Sequence, residues 1–355
     1  MQDASFDFFR NAIETPSPSG YEEPITRLIR DYAKPFADAI RTDVHGNVIV
    51  SAGDTSGPRL MYAGHCDQIG MLVSHIDEQG FLYAQTIGGW DPQQLIGQGM
   101  TIWTADGPIA AVISRKPIHL LTTKEREEVV QFKQMWLDIG AADEAETRSK
   151  VRIGDPVTLE LRYRPLLGDL VSGPGMDNKT GMWTVIEALR RSSKSGNSLQ
   201  CHLHSVATVQ EEIGLRGAKT AAGSIHPDVA IAVDVTHASD CPTIEKNQQG
   251  HIRIGGGPVI FRGPNINAKV AVRLIELAEN NSIPYQLAAV GRATPNDANV
   301  LQLHGSGVAT GLVAIPNRYM HSAVEVISLS DIDHIAELLA KFAESLSAED
   351  DFVPS

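Results

Sequence analysis

Cysteine is scarce in this chain of 355 residues, and basic charge is outnumbered. Its three cysteines, Cys66, Cys201 and Cys241, are scattered, odd in number and form no CxxC pair. That pattern argues against a disulfide framework and for a reducing compartment. Lys and Arg total 30 against 43 Asp and Glu, a formal net charge of -13. A nucleic-acid partner would need a basic face, so none is expected. Clustered carboxylates in an acidic chain remain well suited to cations. No apolar run approaches the roughly 20 residues of a membrane span, so no membrane partner is expected. The opening stretch "MQDASFDFFRNAIETPSPSG" places acids where a secretory signal carries an apolar core. A cytoplasmic enzyme is the expected class. What the chain has in plenty is apolar side chains, 42% of its residues. Over this length they can fill two domains, or one large domain with an insertion.

Periodicity divides the chain. Residues 6–13 and 22–36 carry helical spacing, separated by the breaker cluster "TPSPSG". "DVHGNVIVSA" reads as a turn into a strand, and "RLMYAGHCDQIGMLVSHI" as two strands interrupted at residues 65–70. From about 71 to 165 short strands alternate with glycine turns, an all-β texture. One helix is expected inside it over "TTKEREEVVQFKQM", where Thr122 and Glu125 have capping-box spacing. After residue 166 helical segments alternate with apolar runs such as "LHSVATVQ", "VAIAVDVT" and "VATGLVAIP". The expected fold class is therefore α/β: a mostly parallel sheet covered by helices, built from residues 1–70 and 166–355, with a β-rich insertion at 71–165.

Open α/β sheets bind ligands beyond the carboxyl ends of their strands. His65 and Asp67 follow "RLMYAG", Glu211 and Glu212 follow "VATVQ", Asp234 lies within "VAIAVDVT", and His321 follows "VATGLVAIPNRYM". Asp177 stands just before a helix in "GPGMDNKTG". Each has a bland reading: His65 a turn histidine, Asp177 a plain N-cap, the glutamate pair a solvated loop, His321 a surface residue. Asp234 is harder to dismiss, because a carboxylate inside an apolar strand requires a partner. Together, two imidazoles and several carboxylates at one sheet edge suit two divalent metals, with zinc, cobalt or manganese matching the nitrogen and oxygen donors. Cys66 points away from His65 along an extended backbone and reads as core packing. "GGGP" at residues 255–258 reads as a turn, since no GxxxxGK[ST] element accompanies it. His202 and His204 read as a satisfied pair rather than a third metal site, and His237 stays unassigned.

"GHCDQIG", "GPGMDNKTG", "VQEEIGLRGA", "AVDVTHASDCP" and "NRYMHSAVEV" resemble, in order, the five signature segments of the tetrahedral aminopeptidases. This group is also described as glutamyl or deblocking aminopeptidases. The resemblance spans nearly the whole chain and implies a PDZ-like β-barrel insertion used for dimerisation. It implies peptide substrates and dimers that build a tetrahedral dodecamer. Carried over, one metal is held by His65 and Glu212 and the other by Asp234 and His321. Asp177 bridges them, Glu211 is the general base, and Asp67 orients His65 from behind. Two departures stand out: Gln68 replaces a glutamate common in relatives, and Asn296-Asp297-Ala298 keeps only part of a Thr-Asp-Ala element near the substrate pocket. The ligand set also fits a related dinuclear deacylase or carboxypeptidase. A glycosidase or a non-catalytic peptide-binding scaffold accounts for less of the pattern.

Overall fold

A computed structural model describes residues 3–195 and 198–354. The chain opens with α1 (Asp3–Glu14) and α2 (Glu23–Ala33), then β1 (Ala39–Thr42), β2 (Val48–Gly53) and β3 (Arg59–His65). The insertion follows as β4 (Gly70–Ile76), β5 (Leu82–Ile87), β6 (Gly99–Thr104), β7 (Gly107–Arg115), the short α3 (Thr123–Glu127), β8 (Met135–Asp138), α4 (Glu144–Lys150) and β9 (Pro156–Leu159). The second half of the main body contains β10 (Arg164–Pro165), β11 (Leu170–Ser172), α5 (Met176–Lys194), β12 (His202–Thr208), α6 (Arg216–Ile225), β13 (Val229–His237) and α7 (Lys246–Gln249). It ends with β14 (Val259–Arg262), α8 (Ala268–Asn280), β15 (Gln286–Ala289), α9 (Ala298–Leu301), β16 (Ala309–Asn317), β17 (Val326–Ser328) and α10 (Leu329–Ser345).

The main sheet has the order β1-β2-β12-β3-β13-β16-β14-β15. Its four central strands, β12, β3, β13 and β16, run parallel, while antiparallel pairings join β2 to β12 and β14 to β16. Central strands of this kind are buried on both faces, which accounts for their continuous apolar runs. α5 and α10 pack on one face with Trp183, Leu189, Ile335 and Leu339 in the largest core. α6 and α9 cover the other with Ala218, Ala222, Ala298 and Leu301. β4 to β9 close into an antiparallel barrel with its own core, including Met71, Leu82, Ile102 and Leu137.

Local details follow from side-chain chemistry. The capping box forms as its spacing predicts: Thr122 Oγ1 accepts the Glu125 N–H and Glu125 Oε2 accepts the Thr122 N–H. The helix stops at Glu127, however, short of the expected run to Met135. None of its residues is buried, whereas Val130 just beyond packs into the barrel core, so barrel contacts override the helical pattern there. Fully buried Lys179 donates from Nζ to the carbonyls of Ile13 and Thr15, at 3.4 and 2.7 Å, closing the C-terminal end of α1. The glycine turn at residues 255–258 is filled from within, because Gly255 and Gly257 N–H both donate to the Asp331 carboxylate at 2.7 Å. His204 is buried with Nδ1 2.8 Å from Ser51 Oγ, and its ring lies 4.1 Å from that of His202.

One contact sets the distance between sheet and helix beside the candidate site. A Cβ on Gly64 would lie 2.5 Å from the Gly181 carbonyl carbon and 2.7 Å from Met182 N, both backbone atoms of α5. β3 and α5 carry His65 and Asp177, so this approach also spaces those side chains. Gly64→Ala is expected to lower stability by about 3 kcal/mol, the upper end of overpacking penalties. Urea unfolding measures it, and an unchanged midpoint would contradict the close approach.

Candidate metal centre

The parallel strands deliver the site. His65 is the last residue of β3, and Thr208, its register partner, ends β12 three residues before Glu211. Asp234 lies on β13, and His321 follows β16 by four residues. Asp177 falls in the first turn of α5, where Asp177 and Asn178 both leave helical geometry. It is not the N-cap that an isolated aspartate there suggests; Gly175 takes that position with φ 76°. The seven residues singled out from the sequence converge at one sheet edge and the helix start beside it. Six of them line a cavity of about 340 Å³, and Asp67 lies buried behind them.

Asp177 is central. Its Oδ1 lies 3.2 Å from His65 Nε2 and its Oδ2 3.1 Å from His321 Nε2. His65 Nε2 is also 3.7 Å from Asp234 Oδ1 and 3.8 Å from Glu211 Oε2. His321 Nε2 is 3.4 Å from Glu212 Oε1. The direct contacts thus couple His65 with Asp234 and His321 with Glu212, the reverse of the pairing the resemblance implied. Ligand atoms of His65, Asp177 and Glu212 also fall within 4.8 Å of one another, as do those of His65, Glu211 and Asp234.

Each imidazole is oriented through its other nitrogen. His65 Nδ1 is 3.1 Å from the Asp67 carbonyl oxygen and 3.4 Å from the Asp67 carboxylate. His321 Nδ1 is 2.9 Å from the Gly89 carbonyl, which belongs to the inserted segment. With Nδ1–H donating to these oxygens, Nε2 is the ring atom each imidazole turns toward Asp177, the orientation a metal ligand needs once that nitrogen gives up its proton. Asp67 does more than orient His65. It accepts the Glu211 N–H at 3.1 Å, the Glu212 N–H at 3.2 Å and the Ser19 hydroxyl at 2.6 Å. One buried carboxylate therefore fixes the backbone of both glutamates.

Glu325 is a site residue that pattern reading misses. Its Oε2 accepts the Asp177 N–H at 2.8 Å and its Oε1 the His321 N–H at 2.9 Å. It is 1% exposed, so it ties two candidate ligands together from inside the core. The available signal is one acid among the apolar residues of "SAVEVIS", the same signal that marked Asp234. Asp297 is a second buried acid near the site: its Oδ2 accepts the Thr208 hydroxyl while Oδ1 has no partner. Asn296 lines the cavity with its buried Oδ1 unpaired, in keeping with the expectation that this segment borders the substrate pocket. His237 is exposed at the rim. Cys66 is buried in the main core.

Crowding of acids sets the electrostatics. Burial pushes the Glu211 carboxyl well above its ordinary range, with Asp234, Asp297 and Glu212 adding to the effect against the pull of His65. Burial and the Asp177 charge push Glu212 up to about 7. Burial would also raise Asp177, but the two imidazoles overturn it and hold that carboxyl well below its usual value. Burial opposes a charge on His321, yet Asp177 and Glu212 raise it to about 11. The cluster thus retains protons in place of cations. The Glu212 Oε1 atom is buried without a hydrogen-bond partner. That orphan acceptor, together with nitrogen and oxygen donors and no thiolate, fits divalent metal.

The M42 glutamyl aminopeptidase family matches residues 46–338. The chain belongs to that family. It is a peptidase, from a family of metal-dependent enzymes. It is 36% identical to the lysyl aminopeptidase of Pyrococcus furiosus, over 98% of this chain and 99% of that one. Its fold is similar to that of the TET aminopeptidase from a marine-sediment Thaumarchaeota archaeon, with a TM-score of 0.93 at 32% identity and 98% coverage of both chains. It is also similar to the TET1 peptidase of Pyrococcus horikoshii, which assembles into a tetrahedron or a large octahedral shell. There the TM-score is 0.85 at 29% identity, covering 96% of this chain and all of that one.

Asp67→Asn replaces one acceptor oxygen by an amide NH2 that cannot accept, so one of the two glutamate N–H groups loses its partner. Metal affinity of this M42 peptidase is expected to fall about 10- to 100-fold. Calorimetric titration of the metal-free variant with zinc measures it, and wild-type affinity would contradict the positioning role.

Proposed function

We propose that this M42 peptidase is a dinuclear aminopeptidase that releases N-terminal residues from peptides. The observation that carries the reading is the Asp177 carboxylate, with one oxygen toward each imidazole. By the shortest contacts, His65 and Asp234 would hold one cation, His321 and Glu212 the other, and Asp177 both. Zinc is the proposed metal, and cobalt or manganese would satisfy the same donors. Two such cations would polarise a peptide carbonyl and acidify a shared water.

Glu211 is the proposed general base. Its carboxyl, raised by burial among other acids, takes a proton from the attacking water and returns it to the departing amine nitrogen. Glu212 and Glu211 thereby divide the work: one faces His321 and carries the orphan acceptor oxygen, the other faces His65. Asp67 accepts both of their N–H groups and fixes the backbone in that arrangement. A free N-terminal amine suits the carboxylate-rich end of the cavity, which supports exopeptidase action over deacylation.

We further propose residues 71–165 as the dimerisation unit of a larger homo-oligomer, a dimer building to a dodecamer. The barrel segment exposes Val112, Ile118, Leu120, Val129 and Ile153, each more than half exposed. Such apolar exposure favours a partner surface, and the Pyrococcus horikoshii neighbour forms closed shells. A reducing, cytoplasmic setting agrees with three free thiols.

Glu211→Gln is expected to bind metal normally while kcat falls at least a thousandfold; turnover near wild type would end the general-base role. His321→Ala should lose one of two metal equivalents, read by elemental analysis of the purified variant. Two retained equivalents would show that His321 is not a ligand.

A further inference from the structure

Beside the candidate metal centre, the same cavity has a lining of different chemistry. Phe261 on β14 and Leu312 and Ala314 on β16 form a wall, joined by Val290 and Met320. The wall follows from strand alternation. Ile260 and Val313 point into the main core, so their neighbours Phe261, Leu312 and Ala314 face the other way. β14 and β16 are paired through Val259↔Ala314 and Ile260↔Val313, so the surface is built on sheet rather than on loops.

The described residues lining this cavity include no lysine or arginine, and no carboxylate beyond Asp177, Glu211, Glu212 and Asp234 of the cluster. Thr294 is already engaged, accepting from Asn265 Nδ2 at 2.8 Å. Outside the charged cluster, Asn296 contributes a buried, unpaired polar atom to the lining, Oδ1, and it is a neutral acceptor. A lysine or glutamate side chain entering here would leave water and meet no counter-charge on the wall, which is strongly unfavourable. Leucine, methionine or phenylalanine would bury apolar surface against apolar surface.

We infer that the N-terminal residue this enzyme removes carries an uncharged, apolar side chain, which the wall of Phe261, Val290, Leu312 and Met320 selects. The inference rests on the aminopeptidase reading above. It differs from the lysyl specificity in the name of the Pyrococcus furiosus relative and from the glutamyl specificity in the family description. Asn296 adds a hydrogen-bond acceptor for the substrate's amine or backbone N–H without favouring a charged side chain.

The test uses the metal-loaded enzyme and p-nitroanilides of leucine, methionine, phenylalanine, lysine and glutamate. kcat/KM for the best apolar substrate should exceed that for lysine and for glutamate by at least about 100-fold, since buried charges without partners are rejected far more strongly than a missing methylene. Lysine or glutamate as the best substrate would overturn the inference and leave the aminopeptidase reading standing. No cleavage of any anilide by protein with bound metal would overturn both. Half-buried Val290 then permits a paired test. Val290→Glu should raise the lysine-to-leucine ratio at least tenfold, and Val290→Lys should raise the glutamate-to-leucine ratio. If both variants melt like wild type and neither ratio moves, the wall does not select the side chain. Should either variant fail to fold, calorimetry on the wild-type enzyme decides: free leucine must bind at least tenfold tighter than free lysine or glutamate, and equal or reversed affinities would overturn the inference.

Discussion

The Asp177 carboxylate lies within 3.2 Å of two imidazole nitrogens, and three more carboxylates crowd the same buried space. Like charges repel strongly where the dielectric is low, so the cluster persists only with compensating positive charge. Without cations that charge is supplied by protons on His65 and His321, and burial keeps Glu211 and Glu212 prone to protonation. The same arrangement makes the site receptive to divalent metal, because binding exchanges those protons for cations. A surface cluster of the same residues would be screened by water and would carry no such demand.

Holding the cluster together is the work of backbone groups and buried acids behind it. Asp67 accepts both glutamate N–H groups, and Glu325 accepts the N–H groups of Asp177 and His321. The loops so held are strained: Gln210, Tyr319 and His321 adopt φ of 55°, 61° and 59°, a region that side chains other than glycine rarely occupy. The inserted segment takes part as well. Its Gly89 carbonyl sets the ring of His321, so the barrel side of the molecule reaches a candidate ligand directly. Displacing that loop would remove the partner of His321 Nδ1.

Much of this was legible in the residues. Alternation and apolar runs located the central strands, and a rule about strand ends gathered His65, Asp67, Glu211, Glu212, Asp234 and His321 at one edge. The capping box at Thr122 and Glu125 formed because it needs only local geometry. The helix expected beyond it did not continue, since Val130 gains more by packing in the barrel than a short exposed helix can offer. α4 and α6, strand β14 and the edge strand β15 carried no reading from the sequence, being short or weakly apolar. Glu325 carried a signal that went unread, one acid in an apolar segment like Asp234, whereas Gly89 carried none, because it acts through a carbonyl that every residue possesses.

The sequence by itself determined the chemical inventory: which imidazoles and carboxylates exist, and that their spacing puts them at the ends of consecutive buried strands. It also determined the family, through five ordered segments. Only the tertiary structure decided which imidazole faces which carboxylate, because that depends on the β3–α5 separation set at Gly64 and Gly181 and on loops turned by Asp67 and Glu325. It likewise decided what lines the cavity beside the charged cluster, since strand pairing between β14 and β16 brings together apolar residues about fifty positions apart in the chain. Residue types are local, whereas distances between side chains on different strands are set by sheet register and by packing against the helices.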